Sequence, residues 1–112
     1  MDTLIPVTTS QTFEGHRVTE YLGIVRGIVV RAPGIGRSLL GGLKTLVGGN
    51  IGSYESVCEE ARAQAFQRMV AHAQSWGANA VIAVHYDATE FMAGVTEVLC
   101  YGTAVKIVRA DG

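Results

Sequence analysis

Three side chains of this 112-residue chain have the types and spacing to hold a metal ion together. His85 and Asp87 stand two apart in the stretch AVIAVHYD. Alternate residues of a strand point to the same face, so imidazole and carboxylate would share one side of a sheet. Glu97 follows across a hairpin and is expected near His85. A histidine nitrogen with two carboxylates is a nitrogen/oxygen ligand set that suits zinc and related divalent ions. The competing reading is a polar strand end facing water. The two cysteines, Cys58 and Cys100, would suit a soft ion better. They form no CxxC pair. Cys58 should lie about 6 Å along a helix and Cys100 about 20 Å along a strand running parallel to it, so the thiols would be about 14 Å apart. One ion could join them only between two subunits; otherwise they are small buried residues.

Other chemistry finds less support. GIGRSLLGG carries G-x-G at Gly34 and Gly36, but Leu39 stands where a dinucleotide-binding turn needs its third glycine. Gly36 and Gly41 have the separation of a phosphate-binding loop, yet Gly42 follows instead of lysine and Lys44-Thr45 is out of register. The expectation is a flexible connection packed close to another chain. No G-x-S-x-G elbow or flanked catalytic cysteine is present, and no histidine has a nucleophile at a telling distance. His72 falls among Ala61, Ala65 and Met69 on an apolar helix face, where it reads as a satisfied core or interface residue.

The elements that would position these groups follow from periodicity. Ser53 is the expected N-cap of a long helix, with Glu55, Glu59 and Glu60 favourable to its positive end. Val57, Ala61, Ala65, Met69, His72 and Trp76 step by three or four and form its buried face. Phe66, Val70 and Ala73 widen that face and point to a second contact surface, such as a neighbouring subunit. Gly77 ends the helix in a left-handed turn. Ala80 to Tyr86 is apolar on both faces, as expected of a central strand, and Ala88 to Ala93 reads as a hairpin connection. Val95 to Val108 is the last strand. Upstream, Leu4 to Thr9 reads as a short strand that Pro6 confines to an edge or end. His16 to Arg31 is a long strand, with Val18, Leu22, Ile24, Ile28 and Val30 expected toward the core and Tyr21, Val25 and Val29 away from it. A short helix is expected near Arg37 to Val47. The order is that of an α+β fold, an antiparallel sheet with one long helix packed on it, and residues 1–112 read as a single domain.

With 48% hydrophobic and 17% charged residues the chain can bury a core. A net charge of −1 gives no electrostatic case for nucleic acid or an anionic membrane as partner. Its apolar runs are far too short to span a bilayer, and the N-terminus lacks the pattern of a signal peptide. Unpaired cysteines complete the expectation of a cytoplasmic protein.

Several segments together resemble a known family. They begin with Thr8-Thr9, Glu14-Gly15, YLGIVRG from Tyr21 to Gly27, Gly48-Gly49 and SYE from Ser53 to Glu55. EARAQAFQRM from Glu60 to Met69, GANAVIAVHYD from Gly77 to Asp87 and EVLCYGTAV from Glu97 to Val105 follow. In this order and spacing, over nearly the whole chain, they are similar to the YbjQ family of uncharacterised bacterial proteins, which carries a heavy-metal-binding label. The chain has Ala83 and His85 where the family pattern has glycine and arginine. The resemblance implies a dodecin-like subunit assembling into a ring, a homopentamer. A ring brings copies of one residue together, so a lone carboxylate or imidazole becomes a site by symmetry. The expected function is therefore a non-enzymatic ring-forming module that binds a divalent or heavy-metal ion, or a small ligand, with Glu55, His85, Asp87 and Glu97 as candidate ligands. The alternative is a structural or protein-interaction scaffold that holds no ligand.

Overall fold

A computed structural model describes residues 5–31 and 51–110, the first five helical residues by backbone alone. It contains β1 (His16–Arg31), α1 (Ile51–Ser75), β2 (Ala80–Met92) and β3 (Val95–Arg109). The short helix expected near Arg37 to Val47 lies outside the described residues. The three strands form one antiparallel sheet in the order β1-β3-β2, covered on one face by α1.

α1 starts at Ile51, two residues before the expected cap, so Ser53 sits inside the helix. Its other end follows the sequence closely. Gly77 takes φ +85°, the Ala78 N–H donates to Ala73 O at 3.1 Å, and the Gly77 N–H donates to Gln74 O at 3.0 Å. This paired closure satisfies two otherwise orphaned carbonyls and turns the chain into β2. Asn79 then ties that turn to β3. Its side-chain amide donates to Ile107 O at 3.0 Å, while the Ile107 N–H donates to its Oδ1 at 2.8 Å.

The core lies between α1 and the sheet. Ala61, Ala65, Met69, Val70 and Ala73 are buried against Val25, Val29, Val81, Val84, Val98, Cys100 and Ala104. Full burial of Met69 alone is worth about 1.5–3 kcal/mol. The alanines let the helix come close, and Gly27 takes this furthest: a Cβ there would lie 2.0 Å from Ala65 O and 2.6 Å from Met69 N. Two helix side chains also serve β1 itself. Arg68 Nη1 donates to Ile28 O at 2.7 Å, and the Arg26 N–H donates to His72 Nδ1 at 3.2 Å. These bonds satisfy backbone groups on an edge strand, where they would otherwise invite a foreign strand.

The facing of β1 differs from the expectation. Val25, Gly27 and Val29 turn inward, whereas Ile24, Ile28 and Val30 are exposed on the opposite face. The cause is local. Tyr21 pairs with Val105 but Gly23 pairs with Ala104, so Leu22 is an extra residue that switches the alternation. A similar shift falls between Val18 and Glu20. Leu22 still packs on the helix-side core, while Val18 joins Phe13, Ala80, Ile82, Val105 and Ile107 in a small cluster on the outer face.

β2 differs as well. It lies at an edge, not at the centre, and it runs on to Met92, through residues expected to form the connection. The hairpin turn is only Ala93-Gly94, with Gly94 at φ +76°. The buried start of β2 is explained by the N-terminal segment beside it. That segment makes a single parallel bridge, Val7 to Val81, in place of the strand expected from Leu4 to Thr9. Pro6 O accepts from the Val81 N–H at 3.1 Å, and the Thr8 N–H donates to Val81 O at 3.0 Å. Proline needs no donor there, which agrees with its edge position. Opposite Gly102, β2 carries a bulge whose Ala83 adopts φ 55°.

Candidate metal-binding surface

The outer face of the sheet, away from α1, holds most of the candidate ligands. His85 pairs with Tyr101, Asp87 with Leu99, and Thr89 with Glu97. Paired residues share a face, so His85, Asp87 and Glu97 all project outward, as their spacing implied. The register keeps Glu97 from His85. Glu97 lies opposite Thr89, four residues of β2 beyond His85, or about 13 Å along the strand. Asp87 lies between them, diagonal to Glu97. Glu55 belongs to the backbone-only start of α1, and its side chain is outside the description. Among the described residues, no group of three or more His, Cys, Asp or Glu is placed to hold one ion within a single chain.

His85 is nevertheless set up as a ligand. Its Nδ1 lies 3.0 Å from Ala83 O. A carbonyl only accepts, so Nδ1 carries the proton and the neutral ring keeps the Nε2 lone pair free. A backbone carbonyl holding the other ring nitrogen is the usual support for a metal-bound histidine. The ring is exposed and stacks on Tyr101, with centroids 5.7 Å apart and planes inclined by 22°. Asp87 Oδ1 accepts from the Ala88 N–H at 3.0 Å, which orients the carboxylate. Across β3 on the same face, β1 presents Ile24 (67% exposed), Val30 (55%) and Ile28 (36%) together with the exposed Arg26.

His72 has the opposite arrangement. Its Nδ1 accepts a backbone N–H, and its ring meets Trp76 edge-on at 4.6 Å. It is a satisfied packing residue, as its place on the apolar helix face suggested.

The cysteines are separated in environment. Cys58 is exposed, whereas Cys100 is fully buried. Cys100 Sγ lies 3.7 Å from Met69 Sδ. Met69 and Cys58 are eleven residues apart on α1, about 16 Å of helix, so the thiols do not meet within one chain. Burial pushes the Cys100 thiol above its ordinary value, partly offset by a hydrogen bond with Tyr86. Tyr86 is the β2 partner of Cys100 on the helix side. Its phenol is raised first by burial and then by Cys100, with Arg62 opposing. Tyr86 also borders a groove of about 510 Å³ between α1 and β2, lined by Glu59, Arg62, Ala63, Phe66 and Gln67 from the helix. Sequence reasoning treated Met69 only as core. Its approach to Cys100 depends on how the helix crosses the sheet, and no spacing encodes that.

Comparison with known proteins agrees with this architecture. The YbjQ family model, described as "Putative heavy-metal-binding", matches residues 5–108. The chain belongs to this family. A UPF0145 protein of Legionella pneumophila strain Lens is 57% identical over 103 residues, covering 92% of this chain and 98% of the relative. A UPF0145 protein of Solibacter usitatus is 57% identical over 105 residues, covering 94% of each. Among solved structures, a protein of unknown function of the DUF74 family from Pediococcus pentosaceus superposes with a TM-score of 0.57 at 17% identity, over 93% of this chain and 98% of that one. At that identity the likeness concerns the fold alone. This YbjQ-family chain thus shares its α+β architecture with a solved neighbour. No described helix is long and apolar enough to cross a membrane.

Proposed function

We propose that the protein is a cytoplasmic, non-catalytic, ring-forming module that binds a metal ion or small ligand between subunits, the ring being a homopentamer. The observation that carries this reading is His85, whose Nδ1 is held by Ala83 O and whose Nε2 is free on an exposed sheet face. Asp87 adds a carboxylate on the same face, with Glu97 one diagonal step further. Among the described residues one chain supplies too few converging ligands, so in this reading the site is completed by copies related by symmetry. The exposed apolar residues Ile24, Ile28 and Val30 lie on the same face across β3 and would be covered on assembly. Glu55 is a further candidate ligand. Neither nucleic acid nor membrane is a partner in this reading.

Native mass spectrometry of untagged protein, purified without chelator, tests the reading. A pentamer carrying stoichiometric metal, lost on His85→Ala or Asp87→Asn, is the expected result. A monomer refutes the ring, and metal content unchanged in both variants refutes the assignment of those residues. A bare pentamer would favour a scaffold that holds no ligand. Phe91 and Met92 at the hairpin tip, 56% and 58% exposed, give that second reading an apolar contact for a protein partner.

A further inference from the structure

We propose that Met69 and Cys100 form a binding site for one soft monovalent cation of the Cu(I)/Ag(I) class. The site lies inside the core and is distinct from the outer-face ligands. The two sulfurs come from different elements, α1 and β3, and are 3.7 Å apart. At a metal–sulfur distance of about 2.3 Å, two sulfurs with that separation subtend about 107° at a shared ion. Both sulfurs therefore lie within reach of one shared ion.

Ligand type and burial select the ion. Thiolate and thioether are soft donors and favour Cu(I)-like ions over calcium or magnesium. Both side chains are completely buried among Val25, Val98, Ala65 and Ala104, where net charge is costly. Binding replaces the thiol proton: R–SH + M⁺ gives R–S–M and H⁺. A monovalent ion leaves the site neutral, whereas a divalent one would leave an uncompensated positive charge in an apolar core. No electron is transferred in this step. Tyr86, the cross-strand partner of Cys100, is 47% exposed and lines the groove. Swinging its ring aside opens a route for the ion to enter and the proton to leave.

The proposal deepens the metal-binding reading but needs neither assembly nor His85, and the test separates the two. Cys58→Ser serves as background, because an exposed thiol binds soft ions by itself. Ag(I) is added in air, and Cu(I) is added anaerobically against a colorimetric Cu(I) chelator. Native mass spectrometry gives stoichiometry and proton release is followed alongside. C58S should bind one ion per chain with release of one proton. Adding Cys100→Ser should abolish binding, and adding Met69→Leu should weaken it at least about tenfold, a thioether being one of only two ligands. Met69→Leu conserves volume, so it remains informative if Cys100→Ser disturbs folding. His85→Ala should leave this binding unchanged. The proposal is overturned if C58S takes up no ion, or if C58S/M69L binds as tightly as C58S.

Discussion

Replacing Gly27 by alanine should be among the most damaging single-methyl additions in this protein. An ideal Cβ would lie 2.0 Å from Ala65 O, 2.6 Å from Met69 N and 2.7 Å from Arg68 Cβ. Favourable carbon contacts begin near 3.5 Å, so α1 would have to lift by about 1.5 Å. Nothing at this position can rotate away, because two of the three neighbours are helix backbone and the third is a Cβ. A gap of 0.5–1 Å already forfeits about a quarter to a half of each dispersion contact, and the lift would affect Val25, Val29, Ala61, Ala65 and Met69 together. It would also stretch the Arg68–Ile28 and Arg26–His72 bonds. The usual overpacking range is about 1–3 kcal/mol, and a rigid clash of this depth belongs at or beyond its top, near 3 kcal/mol. Against a total stability of about 5–15 kcal/mol, this should lower the melting temperature by about 10 °C or more. Urea unfolding followed by circular dichroism reads the loss. Gly102→Ala, whose closest neighbours at 2.8 and 2.9 Å are valine methyls, should cost less. Gly27→Ala within about 0.5 kcal/mol of wild type would show that the helix does not rest on β1 as described.

Three further outcomes are expected. Ala83 holds φ 55°, so Ala83→Gly removes about 1–2 kcal/mol of strain against a smaller entropy cost; urea midpoints should rise by the equivalent of about 1 kcal/mol, and a fall would refute the bulge geometry. Cys58 should react with a maleimide in the native state while Cys100 reacts only on unfolding; because burial raises the Cys100 value on folding, its contribution to stability is present at neutral pH and is lost as pH rises through that value, so Cys100→Ala should flatten the alkaline decline in stability. Equal labelling of both cysteines, or an unchanged alkaline slope, would contradict the buried-thiol assignment.

The legible parts of this fold were those governed by local rules. The bounds of β1, the glycine stop at Gly77 and the middle of the inward face of α1 (Ala61, Ala65 and Met69) follow from periodicity and backbone preference over a few residues, whereas Val57 and Trp76, expected inward, are exposed, and Val70 and Ala73, expected at a second contact surface, join the chain's own core. The misreadings came from elsewhere in the chain. ATEFMA has the mixed polarity of a connection, yet the strand continues through it along β3 with its tip beyond the core. The continuous apolar run of β2 came from cover by residues near Pro6, a contact remote in sequence. For the candidate site, spacing put His85 and Asp87 on one face correctly, but Glu97 depended on hairpin length. A turn at Ala93-Gly94 alone would set Glu97 opposite Glu90; the register shift between Glu90 and Met92 moves it opposite Thr89. The preset ring of His85 depends on the bulge at Ala83, and the meeting of Met69 with Cys100 depends on helix placement. Neither leaves a pattern in the chain.

The extra residue at Leu22 has a consequence for how this protein can change over generations. It is the second of two shifts in β1, and it sets which of the residues beyond it face the helix. Exchanging one side chain there alters only packing. Deleting a single codon would rotate everything downstream by half a turn, sending Ile24, Ile28 and Val30 under the helix and lifting Gly27 out of its contact. Lineages can therefore drift in residue type along this segment, but they are held to its length.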